Sequence, residues 1–489
     1  MAAIISSKFR THNAKQFKED FGENVSSTYI FIGRSYSWSN DSDPPAPANS
    51  VGEEHEAFDD MIALKKVSSA DVSHGLTRYD WTLNTIYDEY DHTISATSPS
   101  SATSATSVYD SRFYVVTDEY NVYKCIRMGR DSAGTAVAST TKPTGTSSTQ
   151  LVFGSEGGGG GLPYIWKYMY SISAADTIKF VTNDFIPVKT LGAKASINGT
   201  GTNGELGSSA TDDGTSLWDV ENDSVDGAIY HYRILDGGSG YTNGTYDINV
   251  DGDGSGAVVR VEIASNTINQ VYALDAASYG SGYRRATVDT SSLPAGNSGV
   301  ILPILSPING HGADPVEELG GNFVIVNSRL EFAEGAGDFP TDNDFRRIGL
   351  LQDPFVVGQT TLATGDNYAA YFKMVVSSTA QLTVDDIIFN ASSNGSGVAA
   401  SRIISINASS REVSHVPIAN SGGSYVNFVN GDSVYLNGVQ VATVDNPNGI
   451  NAAFPEIQRF SGNIMYLENR GAVTRAADQI EDIKLIIEM

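Results

Sequence analysis

Tyr29-Ile30-Phe31-Ile32-Gly33-Arg34-Ser35-Tyr36-Ser37-Trp38 is the stretch on which the fold turns. Its first half is a β-branched and aromatic run, the composition of a buried strand. The run breaks at Gly33-Arg34, and a polar, proline-rich loop, Asn40-Asp41-Ser42-Asp43-Pro44-Pro45-Ala46-Pro47, follows. Glycine at 33 permits either a close backbone approach or a positive φ, and it places Arg34 at the exit of the strand. The plain alternative is a core strand followed by a surface arginine.

Composition agrees with a mainly-β protein. The chain has 489 residues, of which 49 are glycine and 18% charged. Ser, Thr, Asn, Val and Tyr outweigh the strong helix formers, which fits short strands joined by turns. The length exceeds one compact core, and about two to four domains are expected. Acidic residues outnumber basic ones by 57 to 31, for a formal charge of −26. That field repels nucleic-acid phosphates and anionic lipid, so neither nucleic acid nor membrane is an expected partner. The acidic residues are scattered, and solubility is their simplest role. A single cysteine, Cys125, excludes an intramolecular disulfide framework and fits a reducing cytoplasm. No apolar run approaches membrane-spanning length, and the N-terminus lacks the apolar core of a signal peptide, so export by that route is not expected.

Along the chain, Phe17 and Phe21 at i, i+4 predict a short helix. Ser50 stands three residues before Glu53, a capping-box spacing, and Phe58, Met61, Ile62 and Lys65-Lys66 then predict an amphipathic helix with cations in its last turn. Arg112–Val116 and Asn121–Ile126 flank a turn and predict a hairpin. The glycine tract Gly157–Gly161 precedes the aromatic strand Leu162–Tyr170; with no helix after it and no Gly-Lys-Ser/Thr, it reads as a loop and not a phosphate cradle. Residues 190–225, with an isolated Trp218, read as an extended connection. A degenerate repeat follows, with Gly238-Ser239-Gly240-Tyr241 echoed by Gly280-Ser281-Gly282-Tyr283. Firmer strands return at Phe323–Val326 and Arg346–Leu351, Asn437-Gly438 marks a hairpin turn, and Ile480–Ile487 reads as a terminal strand.

No catalytic signal emerges. Asp251-Gly252-Asp253-Gly254-Ser255-Gly256 with Glu262 has the spacing of an EF-hand loop, but both flanks read as strand, and a glycine-rich turn is favoured over calcium. Glu89 with His92, and Glu412 with His415, have Glu-x-x-His spacing off any expected helix, while His55 and Asp59 lie at i, i+4 on one. A solvated polar pair is the plainer account of the last. Cys125 sits mid-strand without a histidine nearby and is expected as a buried structural thiol. No metal or cofactor is expected.

The two ends of the chain carry a resemblance. Ser7–Thr11, Phe31–Ser35 with Trp38-Ser39, Val122–Cys125, Tyr164–Tyr168, Phe180–Val188, Ser461–Arg470 and Asp478–Ile483 occur in an order similar to the baseplate wedge subunit of T-even-like contractile-tailed phages, the gene product eight family. The likeness covers about 5–190, 225–235, 320–355 and 455–489; Ala472 departs from it where the family has a proline. The resemblance implies a non-enzymatic, mainly-β virion protein of the tail baseplate, assembled in the host cytoplasm. It also implies a homodimer that contacts other wedge proteins. A multi-domain, β-sandwich-like core with a few short helices is then expected over 1–234, 290–355 and 455–489, with small β modules inserted at 235–289 and 356–454. Aromatic and arginine side chains supply stable interfaces, so Arg34, Tyr36, Trp38, Tyr168, Trp218 and Arg470 are the candidate interface residues, with core packing as the alternative for each. A tail-associated glycan-binding adhesin or polysaccharide depolymerase is the alternative function.

Overall fold

The computed structural model describes residues 4–23, 26–156, 158–191, 214–331, 339–446, 455–476 and 479–489. Gly157, most of the 190–225 connection, residues 447–454 of the second module, and Asp478 of the C-terminal motif lie outside the described residues. The protein is mainly β, with several antiparallel sheets. The chain divides into two compact units. Unit 1 comprises residues 1–16, 73–325 and 486–489; unit 2 comprises 17–72 and 326–485.

Unit 2 is built around the stretch that opens the sequence. Strand Thr28–Gly33 is buried along its whole length, as a run apolar on both faces requires. It lies third in a five-stranded sheet ordered Asn367–Ala369, Met61–Lys66, Thr28–Gly33, Asn343–Gln352, Asn463–Arg475. Tyr29, Phe31, Phe58, Met61, Leu64 and Leu351 form the core beneath it. Phe31 opposes Gly349, and Leu350 opposes Tyr466, so the front and back of the chain share one sheet. The predicted helix after Ser50 is present as Val51–Asp60, with the Ser50 side chain accepting from the Glu53 amide at 3.2 Å. Its expected continuation is not helical. Met61–Lys66 is a strand paired with Thr28–Gly33, because the run Met61-Ile62-Ala63-Leu64 is buried on both faces and pairing across the sheet outweighs its helical spacing. The unit's second sheet has six strands, Phe372–Val375, Glu412–Pro417, Ala400–Asn407, Ile387–Phe389, Ser433–Leu436 and Val439–Thr443 in spatial order. Its last hairpin turns at Asn437-Gly438, with φ of 51° and 82°, the left-handed pair of a tight hairpin turn.

In unit 1 the expected hairpin forms between Tyr114–Val116 and Asn121–Arg127, and Ile165–Ser171 pairs on its other side. Its core stacks Tyr123, Cys125, Tyr164, Trp166 and Tyr168. Trp218 belongs to a helix, Ser216–Asn222, and not to an extended connection; Thr215 caps it by accepting from the Trp218 amide. Both members of the glycine repeat adopt one conformation. Gly238 and Gly280 have φ of 60° and 61°, Gly240 and Gly282 have 78° and 79°, and Tyr241 and Tyr283 are buried. Each tyrosine hydroxyl accepts from a backbone amide, that of Gly299 or Ala257. The repeat is thus a device for driving a tyrosine anchor into the core of a small β module.

Candidate functional site

Four of the six candidate residues gather in unit 2, where the central strand ends. The two roles open to Gly33 separate here: it makes the close approach, and Arg34 takes the positive φ. A Cβ on Gly33 would stand 3.0 Å from the Asp60 carbonyl oxygen, while Arg34 has φ 54° and its amide donates to that same oxygen at 3.0 Å. A left-handed conformation costs a non-glycine residue about 1–2 kcal/mol. Side-chain stacking offsets it. The Arg34 guanidinium lies 3.9 Å from the Tyr36 ring centre and 3.5 Å from that of Trp38. Arg402 stands 4.2 Å from the Tyr36 ring and Arg347 5.6 Å from that of Trp38, so Arg34 bridges the two rings and each ring has a second guanidinium beside it.

Ion pairs close the cluster. Arg347 is fully buried and donates to Asp60 at 3.1 Å, Glu53 at 2.7 Å and Asn469 at 2.9 Å. Tyr36 donates to Asp60 at 3.2 Å and accepts from Arg34 at 2.8 Å. Burial pushes the Asp60 carboxyl up to about 6, against the pull of Arg347 and Arg34. Burial, with the Asp60 charge, holds the Tyr36 hydroxyl at about 12. The neighbouring Arg346 is nearly as buried as Arg347 and serves the exit loop instead, reaching Asp41 at 3.0 Å, Asp344 at 2.9 Å and the Ser35 carbonyl. Trp38 donates its indole N–H to the Arg470 carbonyl at 3.0 Å, which ties the loop to the outermost strand of the sheet. The Arg470 side chain is 42% exposed and lies 3.9 Å from Glu468.

Tyr168 and Trp218 stand in unit 1. Tyr168 is fully buried, and its hydroxyl meets Ser171 at 2.6 Å and Ser216 at 2.7 Å, the second at the start of the helix that carries the half-buried Trp218. Core packing, the alternative set beside the interface role, describes its surroundings.

Residues that sequence reasoning passed over hold the strongest electrostatics. In unit 1, Lys124 is fully buried, with Nζ 2.5 Å from Glu318, 2.9 Å from His311 Nδ1 and 3.6 Å from the Tyr90 ring centre. Burial pushes Lys124 down to about 8. Burial also raises Glu318, but the Lys124 charge and the bonds from His311 and Lys124 more than offset it and leave about 2. Burial and the Lys124 charge hold His311 at about 4, so at neutral pH the pair is ionised beside a neutral imidazole. In unit 2, the adjacent arginines Arg346-Arg347 inside an apolar strand were the available sequence signal for the buried part of the cluster.

The spacings that resembled metal sites do not converge. Glu89 turns to Arg130 at 2.8 Å and His231 at 3.2 Å, while His92 accepts from the Leu305 amide. Glu412 faces Lys373 at 3.8 Å, and His415 is buried beside Phe372 and Phe428. His55 packs on Phe460, and Asp59 bonds Tyr425. In the loop with EF-hand spacing, Asp253 accepts from the amides of Arg284 and Arg285, both at 2.8 Å, and Glu262 accepts from Tyr272, so both carboxylates are engaged within the β module. Among the described residues no three His, Cys, Asp or Glu side chains are placed to hold a metal ion. Among them, too, no helix is long and apolar enough to cross a membrane.

Comparison with known proteins places these features in context. Residues 3–142 match the family Phage-Gp8, described as Bacteriophage T4, Gp8. The baseplate wedge protein gp8 of Enterobacteria phage T4 is 27% identical over 207 residues, 38% of this chain and 60% of that protein. The match therefore spans about three fifths of that relative's length. The exit loop, the helix Val51–Asp60 and the buried Lys124 fall inside the region that matches the family.

Proposed function

We propose that this protein is a structural subunit of a contractile-tail baseplate wedge of the T4 type, without catalytic activity, and that it acts as a homodimer joining neighbouring wedge proteins in the virion tail. The Phage-Gp8 match over residues 3–142 carries this reading. The physical character of unit 2 supports it. Buried arginines and stacked rings tie a loop, a helix and two strands together, which suits a part that passes load to its neighbours. Trp38 and Arg470 contribute the surface, and Arg34 and Tyr36 hold Trp38 from behind. Trp218 offers a second, half-buried aromatic, backed by Tyr168.

Light scattering on the purified chain gives the mass of a dimer under this reading; a monomer that persists at high concentration refutes the dimer. Co-expression with the other wedge proteins of the same phage yields a complex of fixed stoichiometry in size-exclusion chromatography, and failure to co-assemble refutes the wedge assignment. Incubation with host envelope polysaccharide releases no new reducing ends; their appearance refutes the absence of catalysis.

A further inference from the structure

Unit 1 contains a cavity of about 650 Å³ that borders the buried Lys124 cluster at Tyr90 and Glu318. Its volume lies in the ~300–1,000 Å³ range of sites that enclose a ligand. Ile4, Ile94, Val108, Tyr109 and Ile308 supply apolar lining. Ile4 is 91% exposed and Ile308 51%, so the opening is rimmed by aliphatic surface left in water. Beside these lie the carboxylates of Asp314 and Glu317. Both lean on one ammonium group: Lys15 Nζ is 3.0 Å from Asp314 and 3.3 Å from Glu317. Two carboxylates share one cation, and the Asp314 carboxyl is raised, first by burial and then by Glu317, despite the pull of Lys15. The third carboxylate in the lining, Glu318, is closed by Lys124. Lys8 also lines the cavity but stands exposed, where its charge is screened by solvent and salt.

We propose that this cavity is a docking socket for a segment of a partner protein that inserts a large apolar side chain next to a lysine or arginine. The inference rests on the structural-subunit reading, since it supplies that subunit with a contact. Charge complementarity selects the occupant. The apolar lining takes the aliphatic or aromatic group, and the incoming cation meets the carboxylate pair that Lys15 only half neutralises. A second copy of this chain is disfavoured, because it brings another net charge of −26 to the same rim.

Selection of a randomised library of short synthetic peptides on the immobilised full chain tests the proposal. The enriched peptides should pair Lys or Arg with Leu, Ile, Phe or Trp within a few residues. Their affinity, measured by fluorescence anisotropy, should fall roughly tenfold or more for Ile308→Asp and for Glu317→Gln, with unchanged circular dichroism. Glu317→Gln keeps the shape of the side chain and Ile308 stands at the surface, so both variants are expected to fold. Acidic consensus peptides, no enrichment, or binding that ignores both substitutions each overturns the proposal. So does a self-association that Ile308→Asp abolishes, which would assign the socket to a second copy. Co-assembly with wedge proteins that persists while the peptides fail leaves the subunit reading standing and removes the socket alone.

Discussion

Replacing Arg347 with methionine tests whether the unit 2 cluster holds the fold together. The side chain is fully buried and makes three hydrogen bonds, to Asp60, Glu53 and Asn469. Methionine fills much of the volume but removes the charge, leaving the buried Asp60 with Arg34 at 3.7 Å as its cation. Removing one partner of a buried pair costs about 3–5 kcal/mol, because the other charge stays desolvated. With a urea slope of about 3 kcal/mol/M, the unfolding midpoint of unit 2 falls by roughly 1–1.7 M. Trp38 is the natural reporter, since Arg347 and Arg34 both stand against its ring. Adding Asp60→Asn to Arg347→Met should recover part of the loss, with a coupling on the order of 2 kcal/mol.

The same variant has a pH signature. A carboxyl whose folded value is raised binds its proton more readily in the folded chain, so the stability it contributes is present at low pH and is lost as pH rises through the folded value. In the wild type that loss is complete just above about 6. Without Arg347 the Asp60 value moves higher, so the deficit of the variant is smaller at pH 5 than at pH 8. A variant within about 1 kcal/mol of wild type refutes the reasoning, as does a deficit that is constant between those two pH values.

Unit 1 should respond to acid in two steps. His311 lies below its ordinary 6.5, at about 4, so the unfolded chain takes that proton first, and stability falls as pH drops from 6.5 towards 4, by roughly 3 kcal/mol. Glu318, at about 2 against an ordinary 4.5, adds a further loss below 4.5. Urea midpoints of wild type and His311→Gln at pH 7, 5.5 and 4 separate the steps, since the variant lacks the first. Gly349→Ala places a methyl group against the Phe31 ring and 2.7 Å from the Tyr466 carbonyl oxygen, and overpacking of this kind should cost about 1–3 kcal/mol by the same measurement. Arg470→Glu breaks an exposed contact with Glu468, so its stability should stay within about 0.5 kcal/mol of wild type while dimer or wedge association, followed by light scattering, weakens.

Local chemistry was legible wherever neighbours in sequence decide the outcome. Asn437-Gly438 turned a hairpin because both residues accept a positive φ, and Ser50 capped its helix with its own hydroxyl. The glycine repeat was visible as a repeat, though not its purpose of seating Tyr241 and Tyr283. Met61–Lys66 was misread because Phe58, Met61, Ile62 and Lys65 keep helical spacing, whereas the partner that makes them a strand lies some thirty residues away, at Thr28–Gly33. The continuous apolar run at its start was the available signal. The site was less legible still. Arg34, Tyr36 and Trp38 stood out by type, but Asp60 is bound to Arg347, far along the chain, and nothing in local sequence reports such a pairing.

That distant pairing does more than join two charges. Arg346 and Arg347 are consecutive residues of one strand, at an irregularity in its pairing with Asn463–Arg475, and their side chains part to different carboxylates. One reaches Asp41 and Asp344; the other reaches Asp60 and Glu53. A slip of Asn343–Gln352 by a single residue against Thr28–Gly33 would exchange the two faces. One arginine would then take the place of the other, while the second would enter the apolar place of Phe345 or Ile348 and leave Asp60 or Asp41 without its cation. Packing opposes the slip as well, because it would set Ile348 or Leu350 opposite Phe31 in place of Gly349, where even a methyl group meets the ring. Adjacent buried charges penalise the wrong register heavily, even if the correct pairs add little net stability over a well-packed apolar core. The cluster and the seat of Phe31 on Gly349 therefore favour the same register of the central sheet, and with it one position of the loop that carries Trp38.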